Sequence, residues 1–401
     1  LIAVVLTVGR IIEALDDPVI GWWSDRTQSR WGRRIPFVLF STPFYALFFA
    51  FLWFTPWGDA HAMNAVYVFV VLELFFLANT LSGGPYESLL PEIARSHRDR
   101  MSVVAWQFYF GILGAVLGLV LTGLMKDAFD FKVMGVVVAG FGLTFRYVGL
   151  AGIWRVAPRV TQTAQIGLKT AFRHTLGNSQ FLYFIPTFVL FQVSVGIVIG
   201  WMPFMVAEVL EERNGGSVTS LLTGVALVAM VISVFVLLRL SNSRGKRWVY
   251  SACLLGTAVY MPLLFFLGFI PGVPKLAQAI VMAFLAGVPM AGVNLLPKAI
   301  TADITDYDEL RTGLRREGMF YATQNLFEKI GSSLSPLLLA LVLLLGETTE
   351  DNLGLRLAGP LAGVIAFFGF WLFRGYRLPS TVTRETVQAA GLDVDTSPRS
   401  G

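Results

Sequence analysis

The stretch RIIEALDDPVIGWWSDRTQSRWGRR, residues 10 to 34, places four charged side chains inside an apolar run. These are Arg10, Glu13, Asp16 and Asp17, and a basic loop follows the run. Its length and hydrophobicity are typical of a helix that crosses a bilayer, where each charged group costs about 2.5 to 3.5 kcal/mol at the helix centre. Such charges persist where they face a protein interior, so the stretch predicts a membrane helix with a functional site.

The composition of the whole chain favours a membrane protein. Of its 401 residues, 55% are hydrophobic, 14% are charged and 33 are phenylalanine, which excludes an ordinary soluble globular protein. Apolar runs of about 20 residues, the length a helix needs to cross a bilayer, occur eleven times. Their limits are 1–24, 35–56, 64–90, 101–125, 133–155, 178–207, 216–240, 247–270, 276–300, 317–346 and 355–374.

A polar segment separates five of these spans from the six that follow. We therefore expect an N-terminal helix bundle over 1–155, a cytoplasmic central loop over 156–177, a C-terminal bundle of six helices over 178–376 and a disordered cytoplasmic tail over 377–401. One more span ahead of Leu1 would give six helices on each side of the loop. The first helix is accordingly expected to be missing from this chain.

The basic residues indicate the orientation in the membrane. Most of the 31 Lys and Arg residues lie in alternate loops and in the tail. The opposite loops contain five, namely Lys126, Lys132, Arg213, Lys275 and Arg356. Because basic loops stay in the cytoplasm, the sequence predicts a multi-pass protein of a bacterial cytoplasmic membrane with its C-terminus inside. The net charge of +5 is then a topology signal and indicates no nucleic-acid partner.

Several classes of function are excluded by what the sequence lacks. The single cysteine, Cys253, excludes a disulfide framework, and His61, His97 and His174 are too scattered for a metal site. The sequence contains no P-loop for nucleotide hydrolysis and no Ser-His or Cys-His constellation. We therefore expect no cofactor, no metal except Na⁺ as a coupling ion, and no enzymatic activity.

Two short segments indicate that the halves of the chain are repeats. SLLPEIA at 88–94 and NLLPKAI at 294–300 each follow a Gly-Pro-rich segment and each close an apolar run. Two six-helix halves related in this way resemble the major facilitator carriers, which implies an all-α membrane fold of two pseudo-symmetric bundles. The alternative is that Leu-Leu-Pro is simply common at helix ends.

The charges of the opening stretch fall mostly on one helix face. At about 100° per residue, Arg10, Glu13 and Asp17 lie within about 60° of one another, and Asp16 lies about 100° to one side. Clustered carboxylates can replace the hydration shell of Na⁺, or their repulsion can hold a proton near neutral pH. An Arg10–Glu13 ion pair that only fixes helix packing is the alternative. We favour a site for a coupling cation, H⁺ or Na⁺.

A counter-charge lies far along the chain. Lys329 is in the middle of the span 317–346, beside Glu328, and adjacent helical residues point about 100° apart and pair poorly. A cation arriving at Glu13 and Asp17 would release Lys329 from these carboxylates, which would link ion binding to a conformational change.

Three stretches resemble one family of carriers. RIIEALDDPVIGWWSDRTQSRWGRRIPF, PYESLLPEIA and DYDELRTGLRREGMFYATQNLFEKIG are similar to the sodium:sugar symporters, also called glycoside-pentoside-hexuronide:cation symporters, of the major facilitator superfamily. The resemblance covers nearly the whole chain, from the second of the family's twelve helices to the last. It implies cation binding by Glu13, Asp16, Asp17 and Thr80, and coupling through Arg10 and Lys329.

The sugar site of that family matches less well. Its aspartate on the fourth helix and its arginine on the fifth align here with Gly83 and Phe108. Aromatic and amide side chains near the expected cavity can stack on a sugar and hydrogen-bond to it, although aromatic residues also face lipid. The candidate substrate-binding residues are Glu87, Trp106, Gln107, Tyr109, Gln192, Tyr321, Gln324 and Asn325.

The loop from Asp25 to Arg34 resembles the cytoplasmic signature of the superfamily, in which an acidic residue and arginines join helix ends in one conformation. The resemblance implies a gating role for Asp25, Arg26, Arg33 and Arg34. Positive-inside anchoring is the alternative for the arginines, but it leaves Asp25 unexplained.

These observations predict a cation-coupled symporter that carries a sugar or glycoside by alternating access. We expect a monomer whose partners are a small sugar-like substrate and the lipid bilayer. One alternative is a cation-coupled carrier of lysophospholipids or other amphiphiles, which Gly83 and Phe108 favour. The other is a transport-dead membrane sensor.

Overall fold

The computed structural model describes residues 16–57, 63–94, 96–156, 167–211, 215–346, 348 and 351–392. Every regular element in these ranges is a helix, which confirms the predicted all-α class. Helix α1 covers residues 16–26 of the described part. The next six are α2 Ile35–Phe51, α3 Met63–Glu87, α4 Leu90–Ile93, α5 His97–Ala128, α6 Phe131–Ile153 and α7 Leu168–Leu176.

Seven further helices follow the central loop. They are α8 Ser179–Phe204, α9 Gly215–Arg244, α10 Lys246–Leu263, α11 Lys275–Thr312, α12 Glu317–Leu343, α13 Leu353–Phe373 and α14 Arg384–Ala389. A π-helical turn, Met205–Val209, extends α8, and a 3₁₀ turn, Leu264–Phe266, extends α10.

Nine helices among the described residues are long and apolar enough to cross a membrane, the first at Met63–Ile93 and the last at Leu353–Phe373. Each corresponds to one of the predicted spans. The predicted span 35–56 appears as α2, an apolar helix of 17 residues. Of the predicted span 1–24, only the part from residue 16 onwards is described, and it is helical.

The chain divides into two compact units. The first contains the described residues up to Gly177 together with Thr305–Leu326, and the second contains Asn178–Ile304 together with the described residues from Phe327 onwards. The predicted C-terminal bundle, 178–376, therefore differs from the second unit by the residues Thr305–Leu326, which pack with the N-terminal helices.

Helix α11 is longer than the apolar run that predicts it. The expected span ends at residue 300, whereas the helix continues through Pro297 to Thr312. The second Leu-Leu-Pro segment therefore closes the apolar run but does not end the helix. Three carboxylates on the added turns, Asp303, Asp306 and Asp308, each pair with a basic residue, so ion pairs as well as the burial of Ile304 and Tyr307 stabilise this end of the helix.

Two polar segments contain helices that the sequence did not predict. The first is α7, in the central loop. The second is α14, where Thr383 and Thr386 form a capping box and Val387 is buried. The prediction of a disordered tail does not hold for α14, because capping and an apolar contact order it. Residues 393–401 lie outside the described ranges.

Small residues on α13 allow its close packing in the second unit. A Cβ atom built on Gly363 would lie 2.5 Å from Cδ of Pro262 on α10. On the side facing α8, the Ser194 hydroxyl donates to the carbonyl of Ala362 at 2.6 Å. Lipid tails are as apolar as leucine, so helix association in a membrane depends on such backbone approach and on interhelical hydrogen bonds.

The same short motif begins α2 and α10. Gly32 precedes Arg33 and Arg34, and Gly245 precedes Lys246 and Arg247. Both glycines have positive φ angles, 94° and 83°, in a region that side chains with a Cβ rarely adopt. In each unit the first basic residue after the glycine is buried in an ion pair, which adds a structural correspondence to the Leu-Leu-Pro repeat.

We expect Gly363→Val to lower the melting temperature of the purified protein. The new side chain would overlap Pro262, and overpacking of this kind costs about 1 to 3 kcal/mol. Gly224→Val on α9 is the matched control, because no described atom lies within 4 Å of its Cβ position. Both variants are measured by thermal unfolding in one detergent, and equal melting temperatures would contradict the packing role of Gly363.

Candidate cation site and ion-pair cluster

The predicted cation-binding residues that the structure describes are largely buried in the first unit. Asp17 on α1 is 4% exposed and Thr80 on α3 is 7% exposed, while Asp16 is half-buried. The fourth predicted cation-binding residue, Glu13, and the predicted coupling residue Arg10 lie outside the described ranges. A carboxylate buried in a membrane helix is stable when a cation, a proton or a basic group accompanies it, so Asp17 is suited to cation exchange.

Six charged side chains form a second site in the first unit, which we call the Asp25 cluster. Its carboxylates come from α1, α4 and the start of α12, and its guanidinium groups come from the α1–α2 and α11–α12 loops. The members are Asp25, Arg33, Arg34, Glu92, Arg315 and Glu317. Three acidic and three basic groups balance, which keeps the net charge of the cluster at zero.

Arg33 is the centre of this cluster. It donates from Nε to Glu92 at 2.8 Å and from Nη2 to Glu92 at 2.6 Å, and it also bonds Glu317 at 2.5 Å. Burial alone would lower the pKa of Arg33, but the charges of Glu317, Asp25 and Glu92 outweigh burial and raise that pKa above its usual value. Arg33 therefore stays charged throughout the physiological range.

Arg34 connects the same three carboxylates from a second direction. Its Nη2 lies 3.1 Å from both Asp25 and Glu317, and its Nη1 lies 3.3 Å from Glu92. The Arg34 side chain is fully buried. Breaking a buried ion pair by removing one partner costs about 3 to 5 kcal/mol, because the remaining charge is left uncompensated.

Asp25 also caps the N-terminus of α12. Its two carboxylate oxygens accept the backbone N–H groups of Gly318 and Met319 at 2.9 and 3.0 Å. The first N–H groups of a helix have no partner within the helix, and the helix dipole favours a negative charge there. A residue on α1 thus supplies the cap for a helix almost 300 positions later in the chain.

Two glycines allow this close approach of α1 and α12. A Cβ on Gly21 would lie 2.6 Å from the Gly318 carbonyl oxygen, and a Cβ on Gly318 would lie 2.7 Å from the Gly21 oxygen. Either side chain would push the helices apart and withdraw Asp25 from the α12 terminus. The glycines are therefore a steric requirement of the cluster.

Further ion pairs surround the cluster within the first unit. Arg100 on α5 pairs with Asp306 at 2.7 Å, and Arg316 pairs with Asp308. Arg315 also contacts Glu309 at 3.2 Å. The Arg100 pair attaches the end of α11 to α5, and the other two pairs join the end of α11 to the loop before α12.

The structure brings together three of the four predicted gating residues. Asp25, Arg33 and Arg34 lie in the cluster, whereas the guanidinium of Arg26 lies 4.9 Å from the ring centre of Trp22. Sequence reasoning missed Glu92 and Glu317. Each is an acidic residue at the end of a predicted span, Glu92 beside a proline and Glu317 beside an arginine, which could have marked it as a candidate site residue. The neighbouring sequence does not show which arginine each one would pair with.

The predicted substrate residues of the first unit lie in different environments. Trp106 on α5 is 60% exposed, whereas Tyr321 and Gln324 on α12 are 1% and 5% exposed. The half-buried ones are Glu87, Gln107, Tyr109 and Asn325.

An apolar groove of about 460 Å³ opens on the first unit, between α1, α2 and α3. Its lining includes Trp23, Phe37, Phe44 and Leu77. None of the predicted substrate residues borders this groove, and its apolar lining is typical of a surface that faces lipid.

Arg146 on α6 is a charged residue within a span that the sequence analysis gave no role. Its guanidinium lies 5.2 Å from the ring centre of Tyr45, and its Nη2 lies 3.6 Å from the position of a Cβ on Gly83. No carboxylate among the described residues forms an ion pair with it. A cation–π contact contributes about 0.5 to 2 kcal/mol, which is less than the roughly 2.5 to 3.5 kcal/mol cost of arginine at a membrane helix centre.

The second unit contains Lys329, Gln192 and a further buried ion pair. Gln192 on α8 donates to Glu328 on α12 at 3.0 Å, while Lys329 is half-buried. Lys246 at the start of α10 pairs with Asp303 on α11, and both are 2 to 3% exposed. The link between Lys329 and the cation site stays a prediction.

Comparison with solved structures identifies the fold. The chain is similar to the crystal structure of a bacterial homologue of the iron transporter ferroportin in an outward-facing state, with a TM-score of 0.69 over 93% of this chain and 90% of that one. The two sequences are 15% identical, so the likeness concerns the fold alone. Together with the apolar helices, it defines a multi-pass integral membrane protein with the major facilitator fold.

The chain belongs to the family described as MFS/sugar transport protein, whose model matches residues 1–352. This confirms the resemblance found in the sequence, and it confirms that the protein is a transporter and not an enzyme. Its relatives include cation symporters, in agreement with a coupling cation.

Three relatives show the range of this family. An uncharacterised symporter of Synechocystis is 25% identical over 84% of this chain and 77% of its own length. The sodium-dependent lysophosphatidylcholine symporter 1-B of Danio rerio is 24% identical over 83% of this chain and 69% of its own. The raffinose carrier protein of Pediococcus pentosaceus is 23% identical over 84% of this chain and 54% of its own.

We expect Glu317→Gln to loosen the segment 305–326. The substitution leaves Arg33 and Arg34 without one of their carboxylates, at a cost of about 3 to 5 kcal/mol if the site stays dry. Hydrogen–deuterium exchange of peptides from 305–326 should increase, while peptides from α13 should not change.

Glu309→Gln is the control for this prediction. Glu309 also contacts Arg315, but the Glu309 side chain is 31% exposed. Water can therefore solvate the Arg315 guanidinium after the Glu309 charge is removed. Equal exchange in the two variants would show that burial in the cluster does not hold the segment.

Proposed function

We propose that the protein is a secondary active transporter that couples the movement of Na⁺ or H⁺ to symport of a sugar or glycoside by alternating access. The observation that carries the proposal is the Asp25 cluster, which holds Thr305–Leu326 against α1, α2 and α4 through buried charges. The family description and the name of the Pediococcus relative support a sugar substrate.

A buried ion-pair cluster is suited to a contact that opens and closes. Its net contribution to stability is small, since the cost of removing charges from water offsets most of their attraction. When the contact opens, water solvates the separated carboxylate and guanidinium groups again. An apolar contact of similar area would instead expose hydrophobic surface to water on every cycle.

Helix α1 offers a direct path from the cation to this contact. Asp17, Gly21 and Asp25 are spaced four residues apart, so they share one face, and Asp17 and Asp25 lie about 12 Å apart along the axis. Gly21 packs on α12 and Asp25 caps it. In the proposed cycle, cation occupancy at Asp17 changes the position of α1 and thereby the attachment of α12.

The proposed cation site consists of Asp17, Asp16 and Thr80, completed by Glu13. Their oxygen atoms suit Na⁺, and the carboxylate excess also suits a proton held by like-charge repulsion. Arg10 and Lys329 are proposed to compete with the cation for these carboxylates, which would make occupancy and conformation interdependent.

The proposed topology follows from the distribution of Lys and Arg. The tail and the loop with Asp25, Arg33 and Arg34 would lie in the cytoplasm, so the cluster would close the inner side of the pathway. Arg26 would anchor the same loop at the interface. The bundles 1–155 and 178–376, joined by the loop 156–177, would act in a monomer of the bacterial cytoplasmic membrane.

The proposed substrate site lies among the membrane-spanning helices. Exposed aromatic groups can stack on a sugar ring while amides and a carboxylate bond its hydroxyls. The contributing residues would be Glu87, Trp106, Gln107, Tyr109, Gln192, Tyr321, Gln324 and Asn325. Since Tyr321 and Gln324 are buried here, their contact with substrate requires a conformational change.

A second candidate function is cation-coupled transport of a lysophospholipid. It is favoured by the relative of Danio rerio, which covers as much of this chain as the raffinose carrier does. Gly83 and Phe108, which match charged residues of the sugar site in the family resemblance, agree with this substrate.

We expect Asp17→Asn to abolish gradient-driven uptake while downhill exchange of substrate continues. The amide cannot release a proton or compensate a cation charge, so binding of substrate would no longer be coupled. The measurement is uptake into proteoliposomes of labelled glycosides, pentosides, hexuronides and lysophosphatidylcholine under imposed Na⁺ or H⁺ gradients.

Asp130→Asn is the matched control for this assay. Asp130 is an exposed residue that precedes α6, and its side chain makes no capping hydrogen bond. Loss of uptake in both variants would indicate a general effect of charge removal. If neither gradient drives uptake of any compound by the unmodified protein, the symporter proposal fails.

A further inference from the structure

Arg146 carries a charge into the helices of the first unit, where its guanidinium contacts an aromatic ring among the described residues. Its guanidinium lies over Tyr45 of α2, and Tyr45 is itself stacked on Phe75 of α3 with ring centres 5.0 Å apart. Among the described residues no carboxylate pairs with it. Ionisable groups inside a membrane protein usually pair with one another or bind a ligand. A ligand is therefore the partner that we consider for Arg146.

The space beside this guanidinium exists because residue 83 is a glycine. Within 4 Å of the position that a Cβ of Gly83 would occupy, the structure places Nη2 of Arg146 at 3.6 Å and the side-chain oxygen of Asn79 at 4.0 Å. A larger side chain would extend into the region between these polar groups. The glycine thus leaves room beside the guanidinium for a ligand group.

Asn79 directly precedes Thr80 on α3, so this region adjoins a residue of the proposed cation site. Arginine is the side chain best suited to oxyanions, because its planar group donates two parallel hydrogen bonds and keeps its charge when buried. The stacking of Tyr45 and Phe75 holds the guanidinium plane in place before a ligand arrives.

We propose that Arg146, in the space left by Gly83, binds an oxyanion of the transported substrate. The proposal rests on the proposed function and makes it more specific, since it selects substrates that carry an anionic oxygen group within the class. The oxyanion is either the carboxylate of an acidic sugar or the phosphodiester of a lysophospholipid, and the two sources present the same chemistry to the arginine.

The experiment measures binding without any ion gradient. The purified protein in nanodiscs is titrated with two probes that carry an oxyanion, here called the acidic probes, and with a neutral match of each that lacks it. The first pair is methyl glucuronide and methyl glucoside, and the second is the zwitterion lysophosphatidylcholine and 1-oleoylglycerol. We expect one acidic probe to bind at least about tenfold more tightly than its neutral match, in keeping with one charge-assisted pair. The acidic probe that does so identifies the source of the oxyanion.

Variants test whether Arg146 causes this preference. Arg146→Gln should remove the difference between the acidic probe and its neutral match, and Arg146→Lys should retain part of it. Gly83→Asp should also abolish the preference by supplying an internal carboxylate beside Arg146, whereas Gly83→Asn, of equal size and without charge, should weaken both probes alike. Gly83→Asp leaves Arg146 in place, so the proposal stays testable if Arg146→Gln does not fold.

The proposal is overturned if neither acidic probe binds, if acidic and neutral probes bind equally, or if Arg146→Gln weakens both probes by the same factor. Failure of the proposed function is a separate result. A preference for the acidic probe that depends on Arg146, together with uptake that no gradient drives, would support the oxyanion site and exclude the symporter.

Discussion

The burial of three carboxylates with the guanidinium groups of Arg33 and Arg34 in the Asp25 cluster is the constraint on which the first unit depends. It determines where α12 begins, since Asp25 caps that helix. It explains the glycines at 21 and 318, because the cap requires contact between backbones. It also accounts for the assignment of Thr305–Leu326 to the N-terminal helices, which chain order alone would not suggest.

The two kinds of contact in this protein suit different tasks. Glycine-mediated contacts such as Gly363 on Pro262 are short-range and cannot be replaced by water, so they are suited to helices that stay together. The charges of the Asp25 cluster can be solvated separately, so they are suited to a contact that is made and broken. A transporter that works by alternating access needs both, and the first unit carries the second kind where sequence-distant segments meet.

Hydropathy predicted the spans well because a membrane helix must satisfy its backbone internally and present apolar side chains to lipid. The end of α11 was missed because its last turns are held by Asp303, Asp306 and Asp308, and a local pattern does not show the basic partners of these residues. For the same reason, the sequence could not show which of the arginines in the loop after α1 would join the cluster. Arg26 and Arg33 look alike in sequence, yet only Arg33 meets Glu92 and Glu317.

The magnitude of the electrostatic effect indicates how α1 would link a cation to the Asp25 cluster. Two unit charges about 12 Å apart interact by about 1.4 kcal/mol at an effective dielectric constant of about 20. That value would apply if Asp17 faced Asp25 alone. The cluster is neutral as a whole, so the charges of Arg33 and Arg34 cancel most of this interaction. The free energy of allosteric coupling is typically about 1 to 3 kcal/mol. The part of this coupling free energy that electrostatics does not supply must then come from packing. The contact of Gly21 with Gly318, which tolerates no added atom, is the place where a small displacement of α1 would be transmitted to α12.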